Sequence, residues 1–202
     1  LQQVLDDWNY LSPQLQDVYD ALNNGRSRHA FAFAPQQCMA PLPRAYQWAS
    51  GAAYASHTDV LQRALGGDAA ASEGADARLT QGASDSFAGP SDPIVCANAA
   101  WGVDFAAELA VVTGDIPMGC PSDRALDGIR LLMLANAVHL RQFPGAPSVS
   151  TSFSPVAVTP DELGDAWSSG RVQLPLQSTW NGRKVGMCDA GSDMTLHFGQ
   201  LM

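Results

Sequence analysis

Apolar residues recur one helical turn apart at the start of the chain, which predicts two amphipathic helices. The first stripe consists of Leu1, Val4, Leu5 and Trp8, and the second of Leu15, Val18, Tyr19 and Leu22. Ser12 suits the N-cap of the second helix, Pro13 its first turn and Gly25 its end. We therefore predict a helical arm over residues 1–28, followed by a main domain over residues 29–202.

Strand patterns dominate the main domain. Short apolar or alternating runs predict strands at residues 94–96, 108–113 and 129–134. In the second run, Glu108, Ala110 and Val112 should face one side of a sheet, and the residues between them the other side. Two further runs, at residues 172–180 and 183–187, flank Asn181-Gly182 and predict a β-hairpin.

Helical signals in the main domain are few and short. They predict helices at residues 58–65, at residues 123–128 with Ser122 as N-cap, from a capping box at Thr159 through Trp167, and over the first turns of residues 194–202. The segment 66–77, rich in Ala and Gly, is predicted to be a mobile loop. Together these patterns predict a β-rich α+β fold with short peripheral helices.

Composition narrows the classes of partner. The chain has 202 residues, of which 46% are apolar and 15% charged, which is typical of one globular domain. Its net charge of −9 argues against nucleic acid and against an anionic membrane surface as partners. No apolar run is long enough for a membrane span. The four cysteines lack the spacing of a zinc site, so we expect free thiols in a reducing compartment, the cytoplasm.

Long ordered stretches carry a family resemblance. They are residues 82–114 with Ser84-Asp85-Ser86-Phe87, residues 152–163, and residues 176–202 with Trp180-Asn181-Gly182-Arg183 and Asp193-Met194-Thr195-Leu196-His197-Phe198-Gly199-Gln200. These stretches resemble the catalytic domain of the fumarylacetoacetate hydrolase family. The resemblance implies a mixed β-roll or barrel around a metal-centred pocket, and a homodimer. It also implies metal-dependent cleavage of a carbon–carbon bond in a 1,3-diketo acid, with a His as the base.

The catalytic groups implied by the resemblance are only partly present. The family's His corresponds to His57, and the second Glu of its Glu-x-Glu motif corresponds to Glu108. Ser50 stands where the family has an Asp, Ala106 replaces the first Glu, and Ala137 replaces the Asp of an Asn-Asp pair. Because Mg²⁺ and Ca²⁺ need several oxygen ligands, we expect no metal cofactor.

The other candidate residues fall around the same implied pocket. Should Mg²⁺ or Ca²⁺ bind after all, Glu108 and Asp104 are the candidate ligands. The candidate substrate-binding residues are Arg141, His139, Ser50 and Asn136. The family's pocket Lys and Tyr correspond to Ser148 and Thr80 in this chain.

Three functions stay open. The first is metal-free proton transfer, a cyclisation or an isomerisation, on a keto or enol small molecule, with His57 as base and Glu108 as its partner or acid. The second is a metal-dependent fumarylacetoacetate-type hydrolase with an altered metal shell. The third is a binding or scaffold protein without catalytic activity. A retained His beside replaced metal ligands favours the first.

Overall fold

The computed structural model describes residues 1–64, 79–143 and 148–202. Its α-helices are α1 (Gln2–Asp6), α2 (Trp8–Asn23), α3 (Ala55–Ala64), α4 (Ser122–Ala125) and α5 (Phe198–Leu201). Its strands are β1 (Ala49–Gly51), β2 (Leu79–Gln81), β3 (Phe87–Ala88), β4 (Val103–Thr113), β5 (Ile129–Leu140), β6 (Ser150–Phe153), β7 (Trp167–Ser168), β8 (Arg171–Val172), β9 (Pro175–Trp180) and β10 (Arg183–Asp189). The predicted loop at 66–77 and the predicted helix end at residue 65 lie outside the described residues.

A four-stranded sheet with the order β3-β6-β5-β4 forms the centre of the described fold. Strands β4 and β5 pair antiparallel from Val103 opposite Leu140 to Thr113 opposite Ile129. Strand β6 joins β5 antiparallel, and β3 joins β6 in parallel. Three two-stranded sheets, β1–β2, β7–β8 and β9–β10, surround it, and the described strands do not close into a barrel. The predicted α+β class is confirmed.

The two faces of the central sheet bury different clusters. One cluster contains Ala110, Met133, Ala135 and Phe153, with Trp48, Phe87, Val112 and Ala157 packed against it. The other contains Ala53, Ile129, Leu132, Val172, Met194 and Phe198, with Leu109 and Val111 among its neighbours. The alternation predicted for residues 109–112 is thus confirmed, since successive strand residues point to opposite faces.

The N-terminal helices differ from the prediction in their boundary. Helix α2 begins at Trp8, so Pro13 lies inside it rather than at its first turn. As the sixth residue of the helix, this proline lies beyond the first turn and removes one intrahelical hydrogen bond, because it has no backbone N–H. Neither α1 nor α2 contains a buried residue.

Several shorter elements also differ from the prediction. Residues 94–96 form no strand. No strand among the described residues forms backbone hydrogen bonds with them, and Val95 is 86% exposed. Helix α4 begins at Ser122, so Ser122 is not its N-cap. Thr159 precedes a 3-10 segment, Pro160–Ala166, but its side chain makes no capping hydrogen bond. Helix α5 is shorter than residues 194–202, because residues 193–195 bond to the start of α3 instead.

The β9–β10 hairpin is confirmed, with its turn at Asn181-Gly182. Asn181 has φ of 49° and Gly182 has φ of 75°. Positive φ at both central residues is the conformation that a two-residue turn needs to match the twist of its strands, and Asn-Gly adopts it at the lowest cost.

Two further expectations concern the whole chain. Cys38, Cys96, Cys120 and Cys188 are all free and partly buried. In the part of the chain that the structure describes, no helix combines the length and the apolar character needed to cross a membrane.

Candidate functional site

A cavity of about 70 Å³ lies between the β1–β2 pair and the central sheet. Its polar lining residues are Ser50, Thr80, Glu108, His139 and Ser148, and its other lining residues are Trp48, Gly82 and Ala137. The cavity has room for about five water molecules, because each water needs on the order of 10–15 Å³ of such space. A small organic acid with a few heavy atoms therefore fits.

Strand register explains why these residues converge. Residues directly opposite one another in an antiparallel pair point to the same face. Glu108 lies opposite Ala135, and the next pairs on that face join Ala106 to Ala137 and Asp104 to His139. The second wall comes from β1 and β2, where Ser50 pairs with Thr80.

An aromatic cluster supports the cavity from below. The ring of Trp48 packs edge-on against Phe87 and Phe153, with centroid distances of 5.1 and 5.5 Å, and those two rings lie 4.8 Å apart. The backbone N–H of Gly82 donates to the carbonyl of Trp48 at 2.8 Å. A Cβ at Gly82 would lie 2.2 Å from the indole, so a glycine there lets the indole reach the cavity wall.

Burial sets the charge of the two titratable groups in the cavity. It raises the pKa of Glu108 from 4.5 to about 7, so that this carboxyl is roughly half protonated near neutral pH. Burial lowers the pKa of His139 below its ordinary value, Arg141 and His57 lower it further, and Asp104 acts in the opposite direction. The imidazole of His139 is therefore neutral under conditions in which Glu108 titrates.

The structure brings together three of the predicted site residues, Ser50, Glu108 and His139. His57 lies in the first turn of α3, is exposed, and does not line the cavity, although its charge reaches His139. Asn136 lies opposite Ala107, on the sheet face away from the cavity. Asn136 therefore does not line this cavity, because strand alternation sends Asn136 and its neighbours to opposite faces, and its role in binding a substrate stays a prediction.

Arg141 and Asp104 form an ion pair with each other where β4 begins and β5 ends. Arg141 Nε donates to Asp104 Oδ2 at 2.6 Å, and Nη2 bonds to the same oxygen. The Arg141 side chain is 58% exposed and lies outside the cavity lining. Both groups are thus engaged with each other, and neither lines the cavity.

Two residues beside the site were not predicted. Trp48 forms part of the cavity wall, and its position follows from a cluster that no sequence period reveals. The hydroxyl of Tyr54 is buried and has no hydrogen-bond partner among the described residues. Burial, followed by the charges of Cys188, Asp193 and Glu108, raises the pKa of Tyr54 to about 12. Its place beside Glu108 depends on the start of α3, which local patterns do not fix.

The donor set of the cavity does not fit Mg²⁺ or Ca²⁺. Ca²⁺ takes six to eight oxygen ligands, and Mg²⁺ takes six with one or two carboxylates among them, whereas Glu108 is the one carboxylate in the lining among the described residues and is half protonated near neutral pH. Asp104 lies four residues away along β4, about 13 Å at a strand's rise, so the two carboxylates cannot share one ion. Within residues 1–64, 79–143 and 148–202, no three His, Cys, Asp or Glu side chains cluster as metal ligands do.

Two protein-family models match this chain. Residues 1–44 match the family model described as fumarylacetoacetase N-terminal domain 2, and residues 47–202 match the model described as fumarylacetoacetate (FAA) hydrolase C-terminal. No curated protein matches the chain significantly.

Solved structures share the fold. Maleylpyruvate hydrolase from Sphingobium sp. SYK-6 has a TM-score of 0.66 at 15% identity, covering 98% of this chain and 66% of its own. The 2-hydroxyhepta-2,4-diene-1,7-dioate isomerase from Mycobacterium marinum has a TM-score of 0.59 at 22% identity, with 81% and 57% covered. The 5-carboxymethyl-2-hydroxymuconate delta-isomerase from Mycobacterium smegmatis has a TM-score of 0.57 at 22% identity, with 81% and 62% covered.

This chain therefore spans less than two thirds of the length of these structures. Their low identity establishes the fold, and the family model covers residues 47–202, which is well over half of the chain. The chain belongs to the fumarylacetoacetate hydrolase family.

Proposed function

We propose that this protein catalyses metal-free proton transfer, a keto–enol tautomerisation or isomerisation, on a small 2-oxo acid or its enol. The observation that carries the proposal is Glu108, the one carboxyl that lines the cavity among the described residues, whose pKa of about 7 suits both the taking and the giving of a proton near neutral pH. Two of the similar structures are named as isomerases, of a hydroxydienedioate and of a hydroxymuconate. Those names fit an enol acid as the substrate class.

The proposed step moves one proton between a carbon of the substrate and the carboxyl of Glu108. The Glu108 carboxylate takes the proton from the carbon beside the keto group, and the C–H electron pair becomes the C=C bond of the enolate. The N–H of neutral His139 donates a hydrogen bond to the oxygen on which negative charge develops, a role that suits a neutral imidazole. The proton on Glu108 then returns to the same carbon or to another one. His57, exposed on α3, exchanges protons between this group of residues and water.

Hydrogen exchange into pyruvate tests the proposal without knowledge of the true substrate. Pyruvate is the molecule found with manganese(II) in the Sphingobium maleylpyruvate hydrolase structure. In D₂O with EDTA, proton NMR should record protein-catalysed loss of the pyruvate methyl signal. We expect Glu108→Gln to slow this exchange by at least about 100-fold, the lower end of the usual range for a general acid or base. We expect a smaller effect, about tenfold, for His57→Ala, because His57 does not line the cavity and acts only in the exchange of protons with water. Unchanged exchange in Glu108→Gln would contradict the proposal.

The same experiment separates the alternatives. Exchange or hydrolysis of an acylpyruvate that appears only with added Mg²⁺ or Mn²⁺, and disappears with EDTA, would replace the proposal by a hydrolase with an altered metal shell. Binding of pyruvate without exchange under either condition would indicate a binding protein. A homodimer stays a prediction, and light scattering that gives the mass of a single chain would contradict it.

A further inference from the structure

The start of α3 is held by a segment that is distant in sequence. We call residues 193–195 the tether. The backbone N–H of Thr195 donates to the carbonyl of Ala53 at 2.7 Å, and the Thr195 hydroxyl donates to the same oxygen at 2.9 Å. The N–H of Ala55 donates to the carbonyl of Asp193 at 3.0 Å, and Tyr54 forms an antiparallel bridge with Met194. The tether therefore pairs with α3's leading residues as a short strand would.

Asp193 adds a side-chain cap to this pairing. The backbone N–H of Ser56 donates to both carboxylate oxygens of Asp193, at 3.1 and 3.3 Å, and the Ser56 hydroxyl donates to one of them. The first turn of a helix has free N–H groups and a partial positive charge, which a carboxylate satisfies. Helix α3 has no acidic residue in its own first turn, so Asp193 supplies from 137 residues away what the local sequence lacks.

These bonds end next to His57. Because His57 follows Ser56 directly, the direction of its side chain depends on the geometry of this first turn. A first turn without its cap frays, and the side chains on it then sample many directions. The segment that carries His57 leaves the cavity wall at Ser50, seven residues earlier in the chain. An electrostatic influence of His57 on His139 is consistent with a short distance between the first turn of α3 and the cavity.

We propose that Asp193 is a positioning residue, whose carboxylate fixes the first turn of α3 and thereby holds the His57 imidazole beside the Glu108 cavity. The inference rests on the proposed role of His57 in proton transfer. In this proposal Asp193 touches neither the substrate nor the reacting atoms, and it acts only through the first turn of α3.

Three variants test it. Asp193→Ala removes the cap, and Asp193→Asn keeps one oxygen that can accept from Ser56. Asp127→Ala is the matched control, because it removes a carboxylate whose contact with Arg124 is an exposed ion pair at 3.8 Å. Each variant is measured by the pyruvate exchange assay and by NMR titration of its four histidine imidazoles.

We expect Asp193→Ala to lower kcat for exchange about tenfold with KM unchanged, because misplaced groups lose rate rather than binding. In the same variant the titration of His139 should shift toward that of a histidine free of the His57 charge. Asp193→Asn should recover kcat to within about threefold, and Asp127→Ala should match the wild type.

The imidazole titrations keep this inference separate from the proposed function. If His57→Ala leaves exchange unchanged, the role of His57 in proton transfer fails, but the titrations of the Asp193 variants still report where the imidazole lies. If Asp193→Ala leaves both the His57 and His139 titrations as in the wild type, Asp193 does not position His57. Loss of activity in Asp193→Asn as large as in Asp193→Ala would overturn the inference as well.

Discussion

Replacing Glu108 by Gln should stabilise the protein at neutral and alkaline pH. The buried carboxyl has a pKa of about 7 in the folded chain against 4.5 in an exposed setting, so the folded state binds this proton more tightly than the unfolded state. A group with a raised folded pKa contributes its full stabilisation below the unfolded pKa, and this contribution is lost as the pH rises toward 7. Gln has nearly the same shape and carries no charge, so it avoids that loss.

The size of the effect follows from the two pKa values. At about 1.4 kcal/mol per pH unit, the rise from 4.5 to about 7 corresponds to about 3 kcal/mol above pH 7. At pH 4.5 the expected difference between Glu108→Gln and the wild type is below about 0.5 kcal/mol. For a chain of this size, 3 kcal/mol is a rise in Tm on the order of 6–12 °C.

Urea unfolding of both proteins at pH 4.5, 6 and 8 measures this difference directly. The exposed Glu162 offers a matched control, because Glu162→Gln makes the same chemical change at a side chain that is not buried. A constant difference between Glu108→Gln and the wild type across this range would refute the assignment of a raised pKa to Glu108. It would also remove the physical basis for its role as an acid and base near neutral pH.

Three other substitutions probe the scaffold, each by urea unfolding. Phe153→Ala empties the centre of the aromatic cluster at a residue that is 5% exposed, so a loss of about 3–5 kcal/mol is expected, and a loss below about 1 kcal/mol would mean that the cluster is not packed. Tyr54→Phe removes a buried hydroxyl without a partner among the described residues, so stability should stay constant or rise by about 1 kcal/mol, and a marked loss would reveal a partner. Arg141→Gln should cost less than about 1 kcal/mol, because its ion pair with Asp104 is exposed, whereas a slower pyruvate exchange would give Arg141 a place in the site.

Local sequence patterns correctly predicted those features of the fold that depend on neighbouring residues alone. The Asn-Gly turn fixes the β9–β10 hairpin, because both residues adopt positive φ. Alternation along residues 109–112 correctly assigned side chains to the two faces of the sheet. Residues 94–96 have the composition of a strand, but a strand exists only when a neighbour accepts its backbone hydrogen bonds, and composition does not report a neighbour.

The candidate site needed information of longer range. The family resemblance pointed to Ser50, Glu108 and His139, and the structure places all three around one cavity. Asn136 lies on the other face of the sheet. Membership of a motif does not say which of two adjacent strand residues faces the cavity. The first turn of α3, which carries His57, is hydrogen-bonded to residues 193–195, and no window of neighbouring residues contains both segments.

The tether also has a consequence for the order in which the chain is made and folds. Closing a loop of 137 residues costs on the order of 4 kcal/mol in chain entropy, so this contact forms late unless other long-range pairs have already brought the ends together. During synthesis, the helix that carries His57 leaves the ribosome long before residue 193 exists. A nascent chain can therefore pair β4 with β5 before the first turn of α3 has its cap from Asp193.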